Sequence, residues 1–197
     1  MTARNVVPAR RIRLLVAATI SYNVIEAIVA ISAGSVADST ALIGFGLDSV
    51  IEVASAAAVA WQFSGADPEA RERIALRVIA VSFFALAAYV TVGSAISLAT
   101  QGKPRESVVG IVLAAVSLVV MPVLSAAQRR AGRELGSASA VADSKQTLLC
   151  TYLSGVLLAG LLADTWFGWW WADPLAALVI GAVAIHEGRE AWRGDHC

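Results

Sequence analysis

Residues 107–128, SVVGIVLAAVSLVVMPVLSAAQ, form a run of 22 residues without a charged side chain. An α-helix rises about 1.5 Å per residue, so this run is long enough to cross the roughly 30 Å hydrocarbon core of a bilayer. Lipid offers the backbone no hydrogen-bond partner, and the period-two alternation of a membrane barrel strand is absent. The stretch therefore predicts a transmembrane α-helix.

Five further apolar runs of similar length lie at about 14–33, 40–63, 74–100, 146–163 and 173–192. The chain of 197 residues is 58% hydrophobic and 15% charged, with a mean hydropathy of +0.71. Soluble domains are about 45–50% apolar and about 25% charged. We therefore expect an all-α, polytopic membrane protein with six transmembrane helices.

Basic residues are distributed unequally between the two sides that six crossings create. Cytoplasmic connections retain Lys and Arg. Lys103 and Arg105 lie on one side, and the other 13 of the 15 basic residues lie on the side of the termini: Arg4, Arg10, Arg11, Arg13, Arg71, Arg73, Arg77, Arg129, Arg130, Arg133, Lys145, Arg189 and Arg193. This count predicts that both termini are cytoplasmic, in a membrane of the bacterial inner type.

The ends of the chain indicate one membrane domain. Residues 1–13 carry arginines ahead of an apolar run of about twenty residues, which is longer than the roughly 7–15 residues of a secretory signal, so we expect a retained first helix. The expected division is a cytoplasmic segment at 1–13, a six-helix transporter domain at 14–192 and a short cytoplasmic tail at 193–197.

Composition and motifs also exclude several functions. The formal net charge is +0, so no basic field attracts nucleic acid. The spans contain no set of Ser, His and acid, no phosphate-binding loop and no histidine-rich metal motif, so we expect neither an enzyme nor a permanently bound cofactor.

The chain has two cysteines. Cys150 lies inside an apolar run and Cys197 is the last residue, so both are expected to be reduced.

Three acidic residues interrupt the apolar runs, namely Glu26, Asp48 and Glu52. An ionisable group at the centre of a span costs about 2.5–3.5 kcal/mol on insertion, so it usually faces a cavity or a partner. Asp48 and Glu52 are four positions apart, which places both carboxylates on one helical face about 6 Å apart along the axis. Such a pair can bind one cation. Repulsion between the two carboxylates favours a proton on one of them, and a metal ion can replace that proton. The alternative is a hydrogen-bonded pair that only stabilises helix packing.

The fifth apolar run repeats this spacing with Gln146 and Cys150, which supply an amide oxygen and, when deprotonated, a soft thiolate. Together with Asp48 and Glu52 they can complete a tetrahedral metal site. The alternative is structural, because a buried cysteine is usually an apolar filler and a glutamine near a helix start often only hydrogen-bonds a neighbour.

Further polar residues lie near the proposed site or near the ends of helices. Asn23 and Glu26, three positions apart on the first helix, are expected to support the metal site by hydrogen bonds or a proton path, or to serve as packing contacts alone. His186 with Glu187 and the tail 195–197, Asp-His-Cys, contain metal-binding atom types. For both of these groups a solvated position is the simpler interpretation.

Several of these stretches resemble the cation diffusion facilitator family. YNVIEA at 22–27, GSVADSTAL at 34–42 and GLDSVIE at 46–52 are similar to the first two helices of that family, and the chain from Ala142-Asp143 to DPLAAL at 173–178 is similar to the last two. In the family, the second helix carries two aspartates four residues apart, so Asp48 matches and Glu52 is a conservative substitution. The fifth-helix pair, a His or Asp followed by an Asp, falls on Gln146 and Cys150.

The resemblance implies a six-helix membrane domain that dimerises and exchanges divalent metal ions for protons. Loss of an imidazole and gain of a thiol shift the expected cargo towards zinc, with cadmium, copper(I) and iron(II) as alternatives and magnesium and calcium disfavoured. A cytoplasmic metal-binding domain usually follows the sixth helix in this family, and we expect it to be absent here. A homodimer then depends on contacts within the membrane.

One difficulty comes from counting along the helices. Cys150 lies 14 residues before Asp164, whereas Asp48 lies eight residues after Thr40, which is a difference of about 9 Å in depth. Tilt or an early end of the fifth helix has to compensate for it.

Two alternatives to metal transport remain open. A metal sensor or assembly module binds the cation without alternating its exposure. An exporter of organic cations needs an aromatic-lined cavity, whereas most tryptophans of this chain cluster at one interface.

Overall fold

The computed structural model describes residues 6–62, 68–135 and 138–193, with side chains over 14–57, 73–74, 76–131, 133–134 and 147–193. These residues form six α-helices and no strand, which confirms the expected all-α fold. In chain order the helices are α1 (Val6–Ala37), α2 (Thr40–Gln62), α3 (Pro68–Thr100), α4 (Val108–Leu135), α5 (Ala138–Phe167) and α6 (Ala172–Arg193).

Within these described residues, five helices contain a segment that is long and apolar enough to cross a membrane. The segments are Leu14–Ala37, Thr40–Ala57, Leu76–Thr100, Val108–Ala131 and Thr147–Phe167. The remaining helix, α6, has 22 residues, or about 33 Å of length, but its second half carries charged side chains. Because α6 packs against α3, α2 and α5, it belongs to the bundle through its contacts rather than its apolarity. The cytoplasmic position of both termini stays a prediction.

Small residues allow α2, α3 and α6 to approach one another closely. Val90 of α3 is fully buried between Gly44 of α2 and Gly181 of α6. A Cβ atom at either glycine would lie 2.7 Å or 2.8 Å from a methyl carbon of Val90, which is closer than real Cβ contacts. Packing through glycine is common where helices associate in lipid, and here it fixes the position of α2.

The start of α2 is capped by a residue of α6. The Asp173-Pro174 pair predicts an acidic N-cap for α6 itself, but α6 begins one residue earlier and the buried Asp173 carboxylate faces α2. Asp173 Oδ2 accepts hydrogen bonds from the backbone N–H groups of Thr40 at 3.0 Å and Ala41 at 3.4 Å, and Ser39 Oγ donates to Oδ1. The cap is therefore between helices, because the first N–H groups of α2, which have no partner within their own helix, lie within reach of this carboxylate.

Asp173→Asn is expected to lower the stability of the protein by about 2 kcal/mol, because the new amide places a donor against donors that are buried. For a chain of this size the melting temperature should fall by roughly 4–8 °C in a detergent thermal-unfolding assay. The matched control is Asp38→Asn, since the side chains of Asp38 and its ion-pair partner Arg105 are 77% and 70% exposed. Equal melting temperatures for both variants would show that the cap does not contribute.

Candidate functional site

The structure brings together three of the four side chains that the sequence predicts as metal ligands. Asp48 and Glu52 lie one turn apart on α2, and Cys150 of α5 faces both of them. Cys150 Sγ is 3.0 Å from Glu52 Oε1 and 3.8 Å from Asp48 Oδ2. One ligand atom from each residue lies within 4.8 Å of the others. Asp48 and Cys150 are 7% and 1% exposed and Glu52 is half-buried, so the cluster lies largely inside the bundle.

Gln146, the fourth predicted ligand, cannot be placed in the same way. Its backbone belongs to α5, one helical turn before Cys150. Its side chain lies outside the part of the chain whose side chains the structure describes.

Asn23 of α1 contacts the cluster directly. Its Nδ2 atom donates a hydrogen bond to Glu52 Oε2 at 2.5 Å, while the thiol of Cys150 donates to Glu52 Oε1. Each carboxylate oxygen of Glu52 therefore has its own partner, one from α1 and one from α5. The other amide atom, Asn23 Oδ1, is buried and has no hydrogen-bond partner among the described residues.

Glu26 lies in a separate hydrogen-bonded group next to the cluster. Ser49 Oγ donates to Glu26 Oε2 at 2.9 Å, and Ser117 Oγ of α4 donates to Oε1. The hydroxyl groups of Tyr22 and Ser117 are 2.7 Å apart, so the group extends to a residue that is only half-buried. Glu26 itself is 1% exposed. The chain of hydroxyl groups links the buried carboxylate to the edge of the bundle.

Tyr22, Ser49 and Ser117 did not emerge as functional residues from the sequence alone. Ser117 carries the clearest signal, since it is the only polar side chain in residues 108–124. A lone serine in a membrane helix commonly bonds its own backbone, however, so this signal does not identify its partner.

Comparison with protein families bears on this arrangement. The family model of the cation efflux transmembrane domain matches residues 16–193, which is most of the chain. The chain belongs to the cation efflux family. This result confirms the family predicted from the sequence, and it makes the chain an integral membrane protein of a family that transports metal cations. A search among curated proteins returned no match.

Three acidic side chains lie inside this cation efflux protein, namely Glu26, Asp48 and Glu52. Among the described side chains, no Lys or Arg forms an ion pair with Glu26, Asp48 or Glu52. Three carboxyl groups inside a bundle need protons or cations to balance them, because uncompensated charge is costly in a low-dielectric interior. The arrangement is suited to exchange between protons and a metal cation.

A second group of metal-binding atom types lies near the end of α6. His186, Glu187 and Glu190 place one candidate ligand atom each within 4.8 Å of the others. His186 Nε2 is 3.2 Å from Glu190 Oε1, and the two side chains are 69% and 48% exposed. This exposure agrees with the solvated position expected for His186. The tail at 195–197 lies outside the described residues.

Proposed function

We propose that the protein transports a zinc-like metal cation in exchange for protons, with Asp48, Glu52 and Cys150 as ligands and Gln146 as the fourth. The observation that carries this proposal is the meeting of two carboxylates and one thiol from two helices inside a membrane bundle. Membership of the cation efflux family supports metal transport in general. The cargo and the coupling follow from the chemistry of these side chains.

The ligand atoms favour zinc over harder ions. Zinc binds thiolate and carboxylate ligands in tetrahedral sites. Magnesium and calcium prefer six or more oxygen ligands, which a cluster containing Cys150 does not provide. Cadmium, copper(I) and iron(II) are the alternative cargoes.

Protons are the natural exchange partner at this cluster. The Cys150 thiol donates its hydrogen to Glu52, so a metal that binds both groups has to displace that proton. Asp48 adds a second carboxylate on the same side of α2. Antiport results when the helices open the site to each side of the membrane in turn, so that the metal ion binds from one side and protons bind from the other.

Asn23 and Glu26 have different tasks in this proposal. Asn23 holds one oxygen of Glu52, and its Oδ1, which has no partner among the described residues, can accept a hydrogen bond from the hydration water of a cation. Glu26 and the hydroxyl groups of Ser117 and Tyr22 form a route along which a proton can leave the buried region. Neither residue needs to bind the metal for these tasks.

The assembly and the location follow the family resemblance and the distribution of charge. We infer a homodimer formed within the membrane, as the family resemblance implies. The excess of basic residues on one side supports a bacterial inner membrane with both termini in the cytoplasm.

A flux assay across a panel of metals tests the proposal. Protein in sealed vesicles should move zinc and cadmium, but not magnesium or calcium, and an imposed pH gradient should change the initial zinc rate by about tenfold, because each metal ion displaces at least one proton. A metal-sensitive dye and a pH-sensitive dye inside the same vesicles measure both ions. Zinc binding without flux would instead identify a non-transporting sensor or assembly module, and flux without proton movement would refute antiport.

A further inference from the structure

A surface groove lies between α3 and α6, away from the metal cluster. Its volume is about 300 Å³, and it is lined by Phe84 of α3 and by Arg189, Trp192 and Arg193 of α6. Phe84 is 36% exposed and Trp192 is 59% exposed, so the groove presents two aromatic surfaces to its surroundings. The two helices meet closely beneath it, because a Cβ atom at Gly188 would lie 3.0 Å from the ring of Phe84.

Two arginines line this groove, and a third lies next to its Trp192 side chain. Arg189 and Arg193 are one helical turn apart on α6, and the guanidinium carbon of Arg77 on α3 lies 6.0 Å from the ring centroid of Trp192. Among the described residues none of the three forms an ion pair, and the neighbouring acid Glu190 contacts His186 of its own helix. The rim therefore holds three cationic groups that are exposed and available to an anion.

The groove changes from charged to apolar with depth. Phe84 lies seven residues after Arg77 on α3, which is about 10 Å further along the helix axis. Arg77 lies on the basic side of the membrane, so Phe84 lies deeper in the hydrocarbon region than Arg77. Arg189 follows Gly188, which contacts Phe84, so its long side chain has to extend towards the headgroups to meet the phosphate, as arginines near helix ends in membranes do. A ligand that fits both levels has an anionic head and a hydrocarbon chain.

We propose that this groove binds an anionic phospholipid, whose phosphate contacts Arg77, Arg189 and Arg193 and whose acyl chain lies against Phe84 and Trp192. Arginine forms forked hydrogen bonds with phosphate oxygens, and basic pockets between membrane helices on the cytoplasmic side are suited to acidic lipid headgroups. The charge of the rim and the apolar floor favour this occupant over a second copy of the chain, which would bury three arginines against the same positive surface. The site is independent of metal transport.

Lipid titration of the detergent-solubilised full chain, followed by native mass spectrometry, tests this proposal. Phosphatidylglycerol should bind in a saturable manner, whereas phosphatidylcholine of the same chain length and inorganic phosphate should not compete for the site. Arg189→Gln/Arg193→Gln should weaken phosphatidylglycerol binding about 30-fold, since each arginine near a lipid surface contributes about 1 kcal/mol and about 1.4 kcal/mol is a factor of ten.

The matched control is Arg129→Gln/Arg133→Gln, which removes two exposed arginines with the same spacing from α4, outside the groove. This control should keep binding within about twofold of the unmodified chain. Phe84→Ala should weaken long-chain phosphatidylglycerol but not its short-chain form, because only the long chain reaches Phe84. Equal losses in both double variants would overturn the proposal by showing diffuse attraction. Dissociation of a dimer by Arg189→Gln/Arg193→Gln would overturn it in favour of a second copy of the chain.

Discussion

Asp48→Asn is expected to reduce zinc flux by at least about 100-fold, while the protein still inserts into the membrane and keeps its fold. The substitution retains the shape of the side chain but removes one negative charge and one anionic ligand atom from a cluster of three groups. Changes to residues that merely support a metal ligand already cost about 10–100-fold in affinity, so loss of a ligand should cost at least as much. Initial rates in sealed vesicles and a zinc dissociation constant from calorimetry measure the effect.

Asp38→Asn is the matched control for this experiment, because it makes the same chemical change at an exposed aspartate in the turn between α1 and α2. Its flux should remain within about twofold of the unmodified protein, as expected for a weak surface ion pair. Equal flux in the Asp48 and Asp38 variants, at equal amounts of inserted protein, would refute the proposed ligand role of Asp48. Loss of flux with unchanged zinc affinity would place Asp48 in the transport cycle rather than in binding.

The positions of the helices were largely predictable because lipid imposes a simple requirement on the sequence. Uncharged runs such as 107–128 have no alternative to helix in a bilayer, and the six observed helices follow the six predicted runs. All of the helices except α2 extend beyond their runs, since a helix that leaves the hydrocarbon region can continue with polar residues. The sequence alone also could not show that Asp173 caps α2, because capping between helices depends on how the turns meet in space.

The candidate site was predictable only where its residues lie on one helix. The spacing of Asp48 and Glu52 defines their common helical face directly. The partner of Cys150, in contrast, depends on the axial register between α5 and α2. Gly110 of α4 lies beside both Leu42 and Leu161, which places these two residues at a similar depth. Cys150 is 11 residues from Leu161, and Glu52 is 10 residues from Leu42.

This register explains the difference in depth that counting from Thr40 and Asp164 produces. Glu52, rather than Asp48, is the residue level with Cys150, in agreement with their separation of 3.0 Å. No early end of α5 is needed, since that helix continues to Phe167. Contacts such as Asn23 with Glu52 likewise join different helices, so no spacing rule along the chain could have assigned them.

Cys150→Ser is expected to change the choice of metal more than the ability to transport. Serine keeps the size of the side chain but replaces a soft sulfur with a hard oxygen, which favours manganese over cadmium relative to the original site. The ratio of cadmium to manganese flux should therefore fall by about tenfold or more, and Cys150→Asp should lower it further because it adds a carboxylate. Competition between the two ions in sealed vesicles measures this ratio directly.

Cys197→Ser removes the other thiol of the chain and serves as the control for general effects of losing a cysteine. It should leave the cadmium-to-manganese ratio unchanged. The comparison separates the two roles that a buried cysteine can have, because an apolar filler changes stability and a ligand changes selectivity. If Cys150→Ser lowers flux of all metals equally while the ratio stays constant, the sulfur is not a ligand, and Asp48 and Glu52 must bind the cation with other partners.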